Sequence, residues 1–166
     1  MPSNVAPSDL PLDATPRLIV AFDRPSDGWL MLTLSVDGHQ HRVVFSHIYP
    51  SLERLCDVLS DAWVGQCWRH ATFLEEPAEI DATFQPTMGG LCRVSLVSFP
   101  DRRRTETGEL LLEFNGTTQE VVLRFWRALR RLQTALPREQ FIARWREPFP
   151  ESAMTSLTVL VSDAQG

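Results

Sequence analysis

Hydrophobic and polar residues alternate along residues 29–47, which is typical of a β-hairpin with one buried face. Two alternating runs, Trp29–Val36 and His39–His47, flank Asp37-Gly38, a pair suited to the positive φ angles of a type I′ turn. Because a two-residue loop fixes the register, we expect paired positions to sum to 75. The predicted core face of the hairpin contains these residues: Leu30, Leu32, Leu34, Val36, His39, His41, Val43 and Phe45.

Two later segments follow the 3.6-residue period of amphipathic helices. The first begins at Pro50-Ser51, with Ser51 as the expected N-cap, and ends at Gly65. Its polar side carries three carboxylates at four-residue spacing, which we call the acidic stripe: Glu53, Asp57 and Asp61.

The second helix starts at Thr117–Glu120, which has the form of a capping box, and ends before Pro137. Its apolar side faces away from a row of basic residues that we call the arginine stripe: Arg124, Arg127 and Arg131. A short third helix is predicted over Arg138–Trp145.

Strand-like runs fill most of the remaining chain: Arg17–Phe22, Cys67–Leu74, Glu79–Gln85, Leu91–Phe99 and Glu109–Phe114. This order of elements predicts an α+β fold, an antiparallel sheet of about six or seven strands with two main helices packed on one face. We divide the chain into a flexible N-terminal segment 1–16, a single α+β domain 17–152 and a C-terminal tail 153–166. The β-prone run Leu157–Val161 in the tail fits either an edge strand or a segment packed across the body.

Composition is ordinary for a globular protein, since 43% of the 166 residues are hydrophobic and 22% are charged. The three cysteines show no CxxC or metal-type spacing, which indicates a reducing compartment. The N-terminus lacks the pattern of a signal peptide, and no segment approaches the roughly 18 apolar residues of a membrane helix. We therefore expect a cytoplasmic protein without membrane attachment.

Charge is distributed unevenly along the chain. All 16 basic residues are arginine, a bias that we attribute to a GC-rich, bacterial genome. Ten of them lie between Arg102 and Arg146, where only five acidic residues accompany them, although the net charge of the chain is −5. This division predicts two faces that attract partners of opposite sign.

Known catalytic signatures are missing: the sequence has no P-loop, dinucleotide fingerprint, nucleophile elbow or HExxH motif. His39 and His41 share one strand face and could hold a metal ion together, but His47 lies about 20 Å further along the strand. We therefore predict no metal site, no cofactor and no catalytic residue. The acidic segment Glu75 to Asp81, with Glu75, Glu76, Glu79 and Asp81, keeps open an enzyme that uses two carboxylates.

In pattern and size the chain resembles the small, acidic α+β proteins of bacteria that serve as immunity partners to secreted toxins. The resemblance covers roughly residues 17–150 and rests on five features: the hairpin, the helix Ser51–Trp63, the Glu75-Glu76-Pro77 segment, the arginine helix and the closing segment 145–150. It implies a non-catalytic protein that neutralises a partner by blocking its site with an acidic surface.

The favoured hypothesis is therefore a protein-protein interaction module of immunity or inhibitor type. Its expected partner is another, basic protein, bound by these residues: Glu53, Asp57, Asp61, Glu75 and Glu76. One alternative is an accessory subunit that contacts nucleic acid through Arg124, Arg127 and Arg131, and another is an enzyme that uses the cluster 75–81. Self-association between the acidic and basic faces is a further alternative.

Overall fold

The computed structural model describes residues 17–66 and 69–164, so the predicted flexible segment 1–16 lies outside the described residues. Seven strands and four helices occupy this part of the chain. In chain order they are β1 (Leu18–Phe22), β2 (Trp29–Val36), β3 (His39–Ser46), α1 (Ser51–Trp63), β4 (Arg69–Leu74), β5 (Glu79–Thr87), β6 (Leu91–Phe99), β7 (Glu109–Thr117), α2 (Thr118–Ala135), α3 (Arg138–Trp145) and α4 (Glu151–Asp163).

The first three strands form an antiparallel sheet in the order β1-β2-β3. The hairpin register is confirmed, since Trp29 pairs with Ser46 and Val36 pairs with His39. Asp37 and Gly38 both have positive φ, as the turn requires. The leucine face is buried in the core, while His39 at the turn end of the hairpin is exposed.

The other four strands form a second antiparallel sheet in the order β4-β5-β6-β7. The α+β class is confirmed, but the prediction of one sheet with six or seven strands is wrong. Between β3 and β4 the chain forms α1, and the two strands do not pair. Instead, the backbone N–H of Val44 on β3 donates to the Glu75 carboxylate at 3.2 Å, so a side chain takes a bond that a neighbouring strand would take in a continuous sheet.

The predicted helix α2 is confirmed together with its cap, because the Thr117 side chain accepts a hydrogen bond from Glu120 N–H at 3.0 Å. Helix α1 also spans the predicted residues, but Ser51 is its first helical residue and Pro50 is the N-cap. The Ser51 hydroxyl donates to the Thr72 carbonyl at 2.6 Å, so it ties α1 to β4 and does not cap the helix.

The C-terminal run that fitted an edge strand belongs to helix α4. Its buried residues Met154, Leu157 and Val161 recur at helical spacing, and Trp126 Nε1 donates to Thr158 Oγ1 at 3.0 Å. Packing of this apolar side therefore outweighs the strand preference of the β-branched residues. Side chains from both sheets and from all four helices share one buried cluster.

Candidate interaction surfaces

The acidic stripe lies on the outer side of α1, where the amphipathic pattern predicted it. Glu53 and Asp57 are exposed, and Asp61 is half-buried with Arg69 Nε 3.7 Å from its carboxylate. No arginine of the described residues lies within 4.0 Å of the Glu53 or Asp57 carboxylates, and Arg54 Nε donates instead to the His70 carbonyl. The stripe therefore presents two carboxylates to solvent.

Burial and the neighbouring Glu53 carboxylate raise the pKa of Asp57 above its ordinary value, with a smaller contribution from Asp61. Arg54 opposes this increase. The contributions of Glu53 and Asp61 follow from helix geometry, because residues four apart lie about 6 Å from each other along one side. Repulsion within the stripe is a cost to folding that a cation bound there would relieve.

Helix α4 lies beside α1, and two cavities follow their seam. The first, of about 410 Å³, is lined by the first turns of both helices, which therefore run in the same direction, and by Trp145 and residues 147–150. The second, of about 560 Å³, is lined by these residues: Asp57, Ser60, Asp61, Thr155, Ser156, Val159 and Leu160. We call the surface along both cavities the α1–α4 groove.

Charge within the α1–α4 groove has one sign. Every charged side chain that lines its two cavities is a carboxylate: Glu53, Asp57, Asp61, Glu147 and Glu151. The sequence predicts the acidic stripe. It does not predict the groove, because the run Leu157–Val161 fitted an edge strand or a segment packed across the body, and not a helix. The available signal was the helical spacing of Met154, Leu157 and Val161.

The remaining predicted partner-binding residues, Glu75 and Glu76, lie in the turn between β4 and β5. Glu75 is half-buried and accepts the Val44 N–H, so its carboxylate has a structural partner. Glu76 is exposed and lines a different cavity of about 410 Å³, together with Asp101, Arg102 and Arg103. The structure thus separates this turn from the cavities that the acidic stripe lines.

Glu79 and Asp81 are buried, with 6% of each residue exposed. The Arg104 guanidinium donates two hydrogen bonds to the Asp81 carboxylate at 2.8 Å each and one to Glu79 at 3.2 Å. Its charge also lies 4.1 Å from the centre of the Phe99 ring. Hydrogen bonding to Asp81 is the main cause that raises the pKa of Arg104 above its ordinary value, so Arg104 stays charged.

Neighbouring hydroxyls complete this buried ion network. Thr72 Oγ1 donates to Asp81 at 2.8 Å, and the Tyr49 hydroxyl donates to Glu79, a bond that raises the pKa of Tyr49. His70 Nε2 lies 3.8 Å from Asp81. The expected acidic cluster is therefore divided: two of its carboxylates are buried against an arginine, which was missed because Arg104 lies 23 residues from Asp81.

The arginine stripe lies on the outer side of α2. Arg127 and Arg131 are exposed, Arg124 is half-buried, and no carboxylate of the described residues lies within 4.0 Å of their side-chain nitrogens. The two buried carboxylates on β5, Glu79 and Asp81, pair with Arg104 instead, so the arginine stripe has no ion-pair partner among the described residues.

Metal binding and thiol catalysis would depend on His, Cys, Asp and Glu side chains in residues 17–66 and 69–164. No group of three or more His, Cys, Asp or Glu side chains in this part of the chain could hold a metal ion. Burial raises the pKa of Cys56 to about 12 and that of Cys92 to about 11, so both thiols stay protonated at neutral pH. Cys67 lies outside the described residues.

None of the helices in the described ranges has both the length and the apolar character needed to cross a membrane. No family model, curated protein or solved structure matches this chain.

Proposed function

We propose that the protein is a non-catalytic interaction module of immunity or inhibitor type, which binds a basic protein through the acidic stripe. The observation that carries this proposal is the pair Glu53 and Asp57, which are exposed beside a groove whose charged lining residues are all acidic. A bacterial cytoplasmic location is part of the same proposal.

Electrostatics support a binding role for this stripe. Carboxylates without a cation partner in the same molecule raise the association rate of a positively charged protein and oppose binding of an acidic one. Burial is the largest cause of the raised pKa of Asp57, and repulsion from Glu53 and Asp61 adds to it; a cationic partner bound at the stripe would offset that repulsion.

The buried ion network favours binding over catalysis. A general acid and base need carboxyl oxygens that can reach a substrate. The oxygens of Glu79 and Asp81 instead accept hydrogen bonds from Arg104, Tyr49 and Thr72. We therefore assign Glu79 and Asp81 to the fold and not to a reaction.

The test is capture of a partner from a lysate of the source organism by the tagged protein and by the variant E53R/D57R. A suitable control is E106R/E109R, which changes the net charge equally at exposed residues outside the α1–α4 groove. We expect the wild type and the control to retain one stoichiometric protein that E53R/D57R loses. With the purified partner, association by E53R/D57R should be slower and less dependent on salt. Equal capture by all three proteins would contradict the proposal.

A second candidate function is contact with nucleic acid through the arginine stripe. The observation that favours it is the exposure of Arg127 and Arg131 without a carboxylate partner among the described residues. Three arginines in a row could neutralise phosphates and release counterions.

Gel retardation with single-stranded and duplex oligonucleotides at low salt tests this second function. We expect any retardation to weaken steeply with salt and to be lost in R127E/R131E. The variant R24E/R42E is the matched control, because both of its arginines are exposed on the first sheet and its adjoining loop. Absence of retardation at low salt would exclude this function.

A further inference from the structure

The two walls of the α1–α4 groove differ in chemistry. The α1 wall carries the acidic stripe, whose three carboxylates extend over about 12 Å of helix. On the α4 side, Glu151 at the start of the helix lines the first cavity, but residues 152–162 contain neither an acidic nor a basic side chain. We call residues 152–162 the uncharged wall. An occupant therefore meets an anionic wall and an uncharged wall that run parallel to each other.

The uncharged wall faces solvent in the structure. Ser152, Thr155 and Ser156 are exposed, and 52% of Val159 is exposed. A surface helix ordinarily places charged residues along its outer side, whereas α4 has them only at its two ends, Glu151 and Asp163, and exposes small hydroxyl residues and a valine between them. Small side chains let another helix approach closely, and Val159 gives it an apolar contact.

We propose that the α1–α4 groove binds an amphipathic basic helix of the partner protein. Basic side chains at positions i, i+4 and i+8 of that helix match the spacing of Glu53, Asp57 and Asp61. Apolar side chains on its adjacent face contact Val159 and the half-buried Leu160. This inference rests on the proposed function and specifies the chemistry of the partner.

Charge argues against two other occupants that belong to this chain. Residues 1–16 contain Asp9 and Asp13 and no basic side chain, so they do not complement an acidic wall. The α2 helix of a second copy offers arginines, but none of the exposed large hydrophobic residues of the described chain lies on α2. The arginines of α2 would complement the acidic wall, but α2 would offer the uncharged wall no exposed large apolar side chain.

The probe is a pair of synthetic peptides of about 18 residues, long enough to form helix and identical in composition. In the matched peptide, arginines at i, i+4 and i+8 lie beside a leucine face. In the control peptide, the arginines lie opposite the leucines. Fluorescence anisotropy of labelled peptides measures binding to the full chain, and circular dichroism verifies the fold of each variant.

We expect the matched peptide to bind about tenfold more tightly than the control peptide. Binding should weaken by about tenfold in D57R and again in V159N, which change one wall each. The variant L110N is the control for V159N, since Leu110 on β7 is 55% exposed and Val159 is 52% exposed. Equal binding of both peptides, or unchanged binding by D57R and V159N, would overturn the inference.

Two further outcomes separate this inference from the function on which it rests. If E53R/D57R loses the captured protein while the matched peptide fails to bind, the acidic stripe binds a partner that is not a basic helix. Sedimentation of the protein alone provides the other outcome. A dimer that forms at assay concentrations and disappears in E53R/D57R would show that a second copy fills the groove, which overturns the inference.

Discussion

Arg104 joins parts of the chain that are distant in sequence. Its guanidinium binds Glu79 and Asp81 on β5, which lie 25 and 23 residues earlier in the chain. The backbone of Arg104 has φ of 50°, a left-handed conformation that costs an L-residue about 1 kcal/mol. Three charge-assisted hydrogen bonds offset that cost, so Arg104 fixes the loop between β6 and β7.

Replacement of Arg104 by leucine should therefore destabilise the protein strongly. Without the guanidinium, two buried carboxylates lose their partner, and we expect the free energy of unfolding to fall by about 3 kcal/mol. Urea denaturation followed by tryptophan fluorescence measures the change. Arg103→Leu is the control, because Arg103 is exposed on the same loop and should cost less than about 0.5 kcal/mol.

A second substitution separates loss of charge pairing from loss of side-chain packing. Adding Asp81→Asn to Arg104→Leu removes one unpaired buried charge, so the double variant should recover part of the lost stability. If Arg104→Leu and Arg103→Leu unfold at the same urea concentration, the network contributes nothing to the fold.

At the scale of an element, α1 combines a buried side that holds the core with an acidic stripe that opposes folding. Its bounds and both of its sides follow from the 3.6-residue period of the sequence, which is why they could be predicted. The opposite case is α4, where the β-prone run Leu157–Val161 fitted an edge strand and only tertiary packing of Met154, Leu157 and Val161 decides the helix. The acidic stripe could thus be predicted, whereas the uncharged wall of its groove could not.

Asp57→Asn should stabilise the protein near neutral pH. The pKa of Asp57 is raised in the folded state, so its ionisation costs more in the folded chain than in the unfolded chain. The advantage of asparagine should therefore be absent below about pH 3, where both states are protonated, and should appear as the pH rises through the Asp57 pKa. Thermal unfolding of both proteins between pH 3 and pH 7 measures this difference.

The control for this prediction is Glu113→Gln, which removes a carboxylate that lies 3.6 Å from Arg93. We expect no gain in stability from that change, because Glu113 has a cation partner. A melting temperature of Asp57→Asn that equals that of the wild type at every pH would show that the stripe has no folding cost.

At the scale of the whole molecule, short-range sequence signals predict the individual helices and strands but not how these elements pack together. The hairpin register follows from Asp37-Gly38, and the start of α2 follows from Thr117 and Glu120, because each signal lies within a few residues of what it fixes. The division into two sheets depends on contacts such as Val44 with Glu75, which are 31 residues apart. The hydrogen bond between Trp126 and Thr158 could not be predicted for the same reason, because these residues are 32 positions apart.

One buried cluster that includes α4 predicts that the C-terminal segment is part of the cooperative fold. Leu157 is completely buried, so Leu157→Ala should lower the free energy of unfolding by about 2–5 kcal/mol and still give a single transition. Val159→Ala, on the exposed side of the same helix, should change it by less than about 0.5 kcal/mol. Calorimetry distinguishes the possibilities: equal melting temperatures for the two variants, or a separate early transition in Leu157→Ala, would mean that α4 folds independently of the core. The α1–α4 groove would then lack the rigid second wall that a bound helix requires.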